Sequence, residues 1–298
     1  MDDRPIGIFD SGFGGLTVVR ALVDLVPGEE IVYLGDTGRY PYGTRPLNEV
    51  KEFALEIANY LIDSYDVKLL VVACNTASAA ALEELEATMT VPVIGVIEPG
   101  VRAMVRASAS GRVGVIGTVG TIASGAYQNF LLKELVNREP SHEIFLTCAA
   151  CPGFVEFVER GDLESEQVHI LAERLLKPLI DEKVDTLLLG CTHYPFLART
   201  IADVMGSEVV LVSSAEETAF EVRDLLVREK INSGRSSIEG HFTSSSRSKV
   251  ASSSTLIAEN GTQTFLSSGD VELFRTLGTR LLEMEIPRVF QVTWSSSG

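Results

Sequence analysis

The chain has 298 residues, 45% of them hydrophobic, and a formal charge of −16, enough for roughly two domains of about 150 residues each. That acidity, with no run of Lys and Arg to form a basic face, argues against nucleic acid and against an anionic membrane surface. Four cysteines in so long a chain do not make a disulfide scaffold. The opening "MDDRPIGIFD" has no apolar leader, and no run reaches the roughly eighteen apolar residues of a membrane span, so a cytoplasmic protein is expected.

The first apolar run, 6–9 (IGIF), predicts a strand. It ends in Asp10-Ser11-Gly12-Phe13-Gly14-Gly15 and opens a helix over 15–26, with Leu16, Val19, Val23 and Val26 on one face. "DSGFGG" invites a dinucleotide reading, with Asp36 about twenty residues on. Thr17 stands where the third glycine is needed, and Asp10 would set a negative charge beside a pyrophosphate. Asp10 facing an amine or a thiol fits better, and a plain glycine-rich turn remains open.

Strand 31–34 (IVYL) leads into "GDTGRYPYG", where Tyr42 and Gly43 read as part of a turn. A helix over 49–62 precedes strand 68–73 (KLLVVA), which ends at Cys74-Asn75-Thr76 before a helix over 79–87. Strand 93–96 follows. Strand 113–116 (VGVI) ends in "GTVGT", which holds Thr118 and Thr121. Then come a helix over 124–137, a strand over 143–147, a helix over 165–181 and strand 185–189, which ends in "GCTHYP". Strand 209–212 and a helix over 215–229 precede a serine-rich stretch, 233–255, read as a loop. After it a strand and an amphipathic helix return, the helix starting at Ser268 or Asp270.

Strands that are apolar nearly throughout, alternating with helices, predict an α/β fold with mostly parallel sheets covered on both faces. "IGIFDSG" is echoed by "VGVIGTVG", and the strand before Cys74 by the strand before Cys191. Two pseudo-symmetric α/β domains are expected, 1–97 plus 209–298 and 98–208, with the active site in the cleft between them. Ligands of open α/β sheets bind beyond the carboxyl ends of the strands, and those ends carry the small polar groups and the thiols.

Cys74 and Cys191 therefore stand at equivalent positions. Proton transfer at a stereocentre needs a base on one face and an acid on the other, and a thiolate–thiol pair can exchange those roles. His193 follows Cys191 by two residues and Asp10 ends the first strand, so both suit managing the thiols' protons. Cys148-Ala149-Ala150-Cys151 is a C-x-x-C that could be redox-active or half of a zinc site. His142, His169 and His241 receive no role, and Trp294 reads as packing.

"DSGFGGLTV", "PYGTR", "CNTASA", "GVIEPG", "GTVGTIAS" and "LLLGCTHYP", in that order, resemble the glutamate racemases, cofactor-independent members of the aspartate/glutamate racemase superfamily. The resemblance implies interconversion of L- and D-glutamate, supplying D-glutamate to the bacterial cell wall, with no cofactor and no metal, in a homodimer. It makes Cys74 the base for D-glutamate, assisted by Asp10, and Cys191 the base for L-glutamate, assisted by His193. Ser11, Tyr42, Gly43, Asn75, Thr76, Thr118, Thr121 and Thr192 would bind the substrate. "CPGFVEFVERG" is similar to the family's C-P-x-x-V-P-x-x-E, which puts Glu159 near the second cysteine, although Glu156 and Phe157 replace Pro-Leu. Aspartate racemisation, a ligand-binding protein on the same scaffold, a redox or zinc protein, and a pyridoxal-dependent racemase are the competing readings.

Overall fold

The computed structural model describes residues 1–136, 143–234, 261–282, 285–286 and 288–294. The first third of the chain runs β1 (Ile6–Asp10), α1 (Leu16–Leu25), β2 (Ile31–Gly35), α2 (Leu47–Tyr65), β3 (Leu69–Val72), α3 (Asn75–Thr88) and β4 (Val93–Gly95). It continues with α4 (Ile97–Ala107), β5 (Arg112–Gly117), α5 (Val119–Ala123), α6 (Ala126–Val136), β6 (Phe145–Ala150), α7 (Phe154–Arg160), α8 (Glu166–Asp181) and β7 (Thr186–Gly190). A 3-10 turn (Tyr194–Leu197), α9 (Ala198–Met205), β8 (Val210–Ser213), α10 (Ser214–Arg228), β9 (Gln263–Ser267), α11 (Val271–Leu282) and β10 (Val289–Gln291) complete it.

The strands form two sheets, ordered β10-β9-β2-β1-β3-β4 and β6-β5-β7-β8. Every pairing between the described strands is parallel. Parallel strands need helical crossovers, which cover both sheet faces and exclude water from them. Ile8 therefore enters one core with α1 and α10, while its neighbour Phe9 enters another with α2 and α3. In β7, Leu187 and Leu189 face one core and Leu188 the other, and all three are buried. Each such leucine contributes on the order of 2 kcal/mol relative to exposure.

In each sheet the winding direction reverses beside the first strand laid down. The reversal falls between β1 and β3 in one sheet and between β5 and β7 in the other. Such a switch point leaves a crevice beyond the strand ends. Asp10 and Cys74 flank one crevice; Thr118 and Cys191 flank the other.

The structure departs from the sequence reading in several places. The strand expected to begin the return to the first sheet at 209 pairs instead with β7, in the register Thr186↔Val210. The crossover through α9 lays the next parallel strand beside the one it left, as consecutive strands usually lie. The helix expected over 124–137 begins at Ala126, because Gly125, with φ of 72°, separates it from the short α5 before it. The strand expected over 143–147 runs Phe145–Ala150. α4 is an addition to the helices expected from the sequence, and Pro99 sits in its first turn, where no helical N–H partner is needed. Lys68, taken as part of a strand, lies just before it, fully buried and paired with Glu29 at 2.6 Å. Asp270 caps α11, its carboxylate accepting from the Glu272 and Leu273 amides at 2.9 Å. Beyond Gly234 the serine-rich 233–255 stretch lies outside the described residues, as do His142 and His241. No helix among the described residues is long and apolar enough to cross a membrane.

Candidate active site

One pocket collects side chains from both sheets. Ser11, Tyr42, Gly43, Cys74, Asn75 and Thr76 line it from the first, and Thr118, Cys191, Thr192 and His193 from the second. Both thiols thus border the same space. Asp10, Thr121 and Glu159 stand just behind its wall. Among the described residues no Lys or Arg lines the pocket, and His193 is its one basic side chain.

Cys74 is the N-cap of α3, and its sulfur accepts a hydrogen bond from the Ala77 amide at 3.5 Å. The sulfhydryl donates to Ser11 Oγ at 3.7 Å. A helix N-terminus carries roughly half a positive charge and favours a thiolate. Burial opposes this, and with the nearby negative charge of Asp10 it pushes the Cys74 thiol well up. Asp10 is itself buried, its Oδ2 accepting from the Gly15 amide at 2.9 Å and the Gly12 amide at 3.4 Å.

Cys191 has a different neighbour. His193 Nδ1 lies 3.9 Å from its sulfur, and His193 Nε2 lies 3.6 Å from Glu159 Oε1. Burial would lower the imidazole pKa, but the contacts to Cys191 and Glu159 outweigh it and raise it to about 10. His193 is therefore cationic at neutral pH, with the Cys191 sulfur on its Nδ1 side and the Glu159 carboxylate on its Nε2 side. Gly14, from the first half, presses on this pair. A Cβ there would lie 2.2 Å from Thr192 Oγ1 and 2.5 Å from His193 Nδ1.

Hydroxyls and amides complete the pocket. Thr76, Thr118 and Thr121 form a triangle of hydroxyls at 2.8–3.1 Å, which joins the two sheets. The Gly120 amide donates to Gly43 O at 3.0 Å, a second join. Asn75 Nδ2 donates to Tyr127 OH at 3.0 Å, while its Oδ1 has no protein partner. Asp10 Oδ1, His193 Nε2 and Glu159 Oε1 are also buried without a hydrogen-bond partner. Each orphan costs about 1–3 kcal/mol, so their gathering at one pocket marks a place built for a polar ligand.

Sequence reasoning missed several residues of the wall. Tyr40, Cys151, Glu156 and Tyr194 also line the pocket. Tyr40 sits with its ring 6.3 Å from that of His193, and burial beside Glu159 keeps its phenol protonated. Cys151 is a buried thiol pushed up to about 12 by burial and by Cys191. Its C-x-x-C partner Cys148 points elsewhere, toward Gln128 Nε2 at 3.6 Å, and all four cysteines are free. No group of three His, Cys, Asp or Glu is placed to hold a metal among the described residues. The signal available for Glu156 was its place at the i−3 position from Glu159 on one face of α7.

The profile of the Asp/Glu/hydantoin racemases matches residues 6–220. A glutamate racemase of Acidothermus cellulolyticus is 44% identical over 289 residues, spanning 97% of this chain and 99% of that one. The structure is similar to that of a glutamate racemase isoform from Bacillus anthracis, with a TM-score of 0.83, 36% identity and 98% of each chain covered. A Francisella tularensis glutamate racemase, solved in complex with D-glutamate, gives a TM-score of 0.81 at 32% identity over 98% of each chain.

Proposed function

The chain belongs to the Asp/Glu/hydantoin racemase family, and from that premise we propose that it interconverts L- and D-glutamate by proton transfer between two thiols, without a cofactor. The observation that carries the reading is that Cys74 and Cys191 end equivalent strands of two sheets and border one pocket. In this mechanism one sulfur, as thiolate, takes the Cα proton while the other, as thiol, delivers a proton to the opposite face. The roles reverse with the opposite enantiomer. Cys191 takes the proton from L-glutamate and Cys74 from D-glutamate.

Each thiol needs help, because an ordinary thiol is mostly protonated at neutral pH and an α-proton is a weak acid. His193 supplies a positive charge and a movable proton beside Cys191, with Glu159 fixing its ring. Asp10 serves the Cys74 side, its free Oδ1 available to a proton or to the substrate ammonium. Ser11, Asn75, the three threonine hydroxyls, Thr192 and the backbone at Tyr42 and Gly43 bind the carboxylates and the amine. A pocket without Lys or Arg holds the two substrate carboxylates loosely enough to release either enantiomer. The product D-glutamate would feed peptidoglycan synthesis in the cytoplasm.

The test is circular dichroism of L-glutamate in D₂O with wild type, EDTA-treated wild type, Cys74→Ser and Cys191→Ser. The expected result is loss of optical activity with deuterium entering Cα, indifferent to EDTA, and reduced by at least about 10²–10⁴-fold in either variant, the range of one general acid–base group. Racemisation of L-aspartate in place of L-glutamate would overturn the substrate, and a fully active cysteine variant would overturn the two-thiol mechanism.

A further inference from the structure

Asp36 is fully buried and takes no part in the proton transfers above. Its carboxylate collects four side-chain donors. Tyr42 OH and Arg39 Nε (2.7 Å) donate to Oδ2, and Ser268 Oγ (2.6 Å) and Trp294 Nε1 (2.8 Å) donate to Oδ1. Two of these donors come from the far end of the chain. Ser268 follows β9, and Trp294 follows β10, whose extension is held by the Val292 amide on Ser267 O at 2.8 Å. Trp294 is wedged in place: its ring meets that of Tyr60 edge-on at 5.8 Å, and the Arg39 guanidinium lies 4.3 Å from its centroid. The same guanidinium lies 4.1 Å from Phe53, which packs on Tyr42.

Tyr42 is the link to chemistry. It lines the pocket, and its hydroxyl is committed to Asp36, so the ring cannot swing. The next residue, Gly43, is pressed against Thr118, where a Cβ would come within 2.8 Å, and its carbonyl accepts from Gly120. The wall at Tyr42 and Gly43 is therefore fixed from behind by Asp36 and in front by the second sheet. An indole N–H buried on a carboxylate is a charge-assisted bond, stronger than a neutral one.

We propose that Trp294 is a positioning residue of the substrate pocket, acting through Asp36 on Tyr42, so that the C-terminal segment sets the geometry of a wall it does not itself line. The inference rests on the racemase reading and adds to it a long-range element, carried by residues far from the conspicuous motifs.

Trp294 is the chain's one tryptophan, so its emission reports on this place alone. Trp294→Phe keeps an aromatic side chain, though a smaller one, and removes the donor. The expected result is a KM for glutamate raised about threefold to tenfold with kcat nearly unchanged, the signature of lost uniform binding. In wild type, saturating glutamate should change the Trp294 emission, and Tyr42→Phe, which cuts the link to Asp36, should abolish that response. A purely packing role would instead lower the melting temperature and the active fraction, and hence kcat, with KM untouched; that outcome overturns the proposal. So does wild-type emission blind to glutamate that the same sample racemises. Failure of the racemase reading shows differently, as a wild type that leaves glutamate optically unchanged.

Discussion

Cys74 and Cys191 end equivalent strands, but their two halves stabilise charge by different means. On the Cys74 side the positive field is a fixed one, the N-terminus of the fourteen-residue α3, opposed by the carboxylate of Asp10. On the Cys191 side the strand runs into a short 3-10 turn, and the positive charge beside the thiol is a cationic imidazole. A helix dipole cannot give up a proton, whereas an imidazolium can. Duplication of a strand end therefore repeats the position of the thiol without repeating its chemistry. The lesson is that pseudo-symmetry in the backbone sets where a reactive group sits, and the side chains next to it set when it is charged.

The comparison can be broken most severely at Gly14, where one half leans on the other. Gly14→Ala drives a methyl into Thr192 and His193, an overpacking of about 1–3 kcal/mol, or roughly 5–150-fold in rate if it falls on the active geometry. L- and D-glutamate have equal free energy, so kcat/KM stays equal in the two directions in any variant. The damage should appear instead as a larger primary isotope effect with α-deuterated L-glutamate, whose proton goes to Cys191 in the proposed mechanism, and not with the D enantiomer. An equal rise for both would show that the halves do not act separately.

A milder test separates the two fields by pH. Removing the negative charge of Glu159 leaves burial less opposed, so the His193 pKa falls from about 10. In Glu159→Gln the alkaline limb of the pH–rate profile should move to lower pH. Ser11→Ala, on the Cys74 side, should lower the rate and leave that limb where it is. A limb that stays put in Glu159→Gln would detach His193 from the titration.

The smallest effect concerns how the Cys191 strand is anchored. Asp185, just before β7, accepts from Ser108 Oγ at 2.7 Å and from the Ala109 and Ser110 amides at 2.9 and 2.6 Å. Burial pushes its pKa up, but these bonds outweigh it and hold the carboxyl down at about 2. A depressed carboxylate stabilises the fold above its unfolded pKa of 3.8, and that stability is lost as the pH falls through about 2. Asp185→Asn should cost less than about 1 kcal/mol at pH 7, since the group is partly exposed, and its melting temperature should converge with wild type between pH 4 and pH 2. A constant gap across that range would assign the effect to packing.

Much of the site was legible because chemistry and local pattern coincide at strand ends. Cys74, Asn75, Thr76, Thr118, Cys191, Thr192 and His193 follow apolar runs directly, and a parallel strand has nowhere to end but at the carboxyl edge. Glu156 and Cys151 were harder, since they lie on a short helix and a loop with no periodicity to place them. The assignment of the strand expected at 209–212 to the wrong sheet has the same origin. Its apolar pattern predicts a strand but says nothing about which neighbour it pairs with.

The amino-acid sequence by itself determined the parallel α/β layering, the paired thiols and the hydroxyl-rich strand ends, because each depends on residues within a few positions of one another. Only the tertiary structure decided that Gly14 touches His193, that Glu159 reaches the same imidazole, and that Trp294 closes on Asp36 across 258 positions of chain. Those contacts are set by how helices pack and how sheets wind, and such distances are fixed only when the whole core excludes water at once.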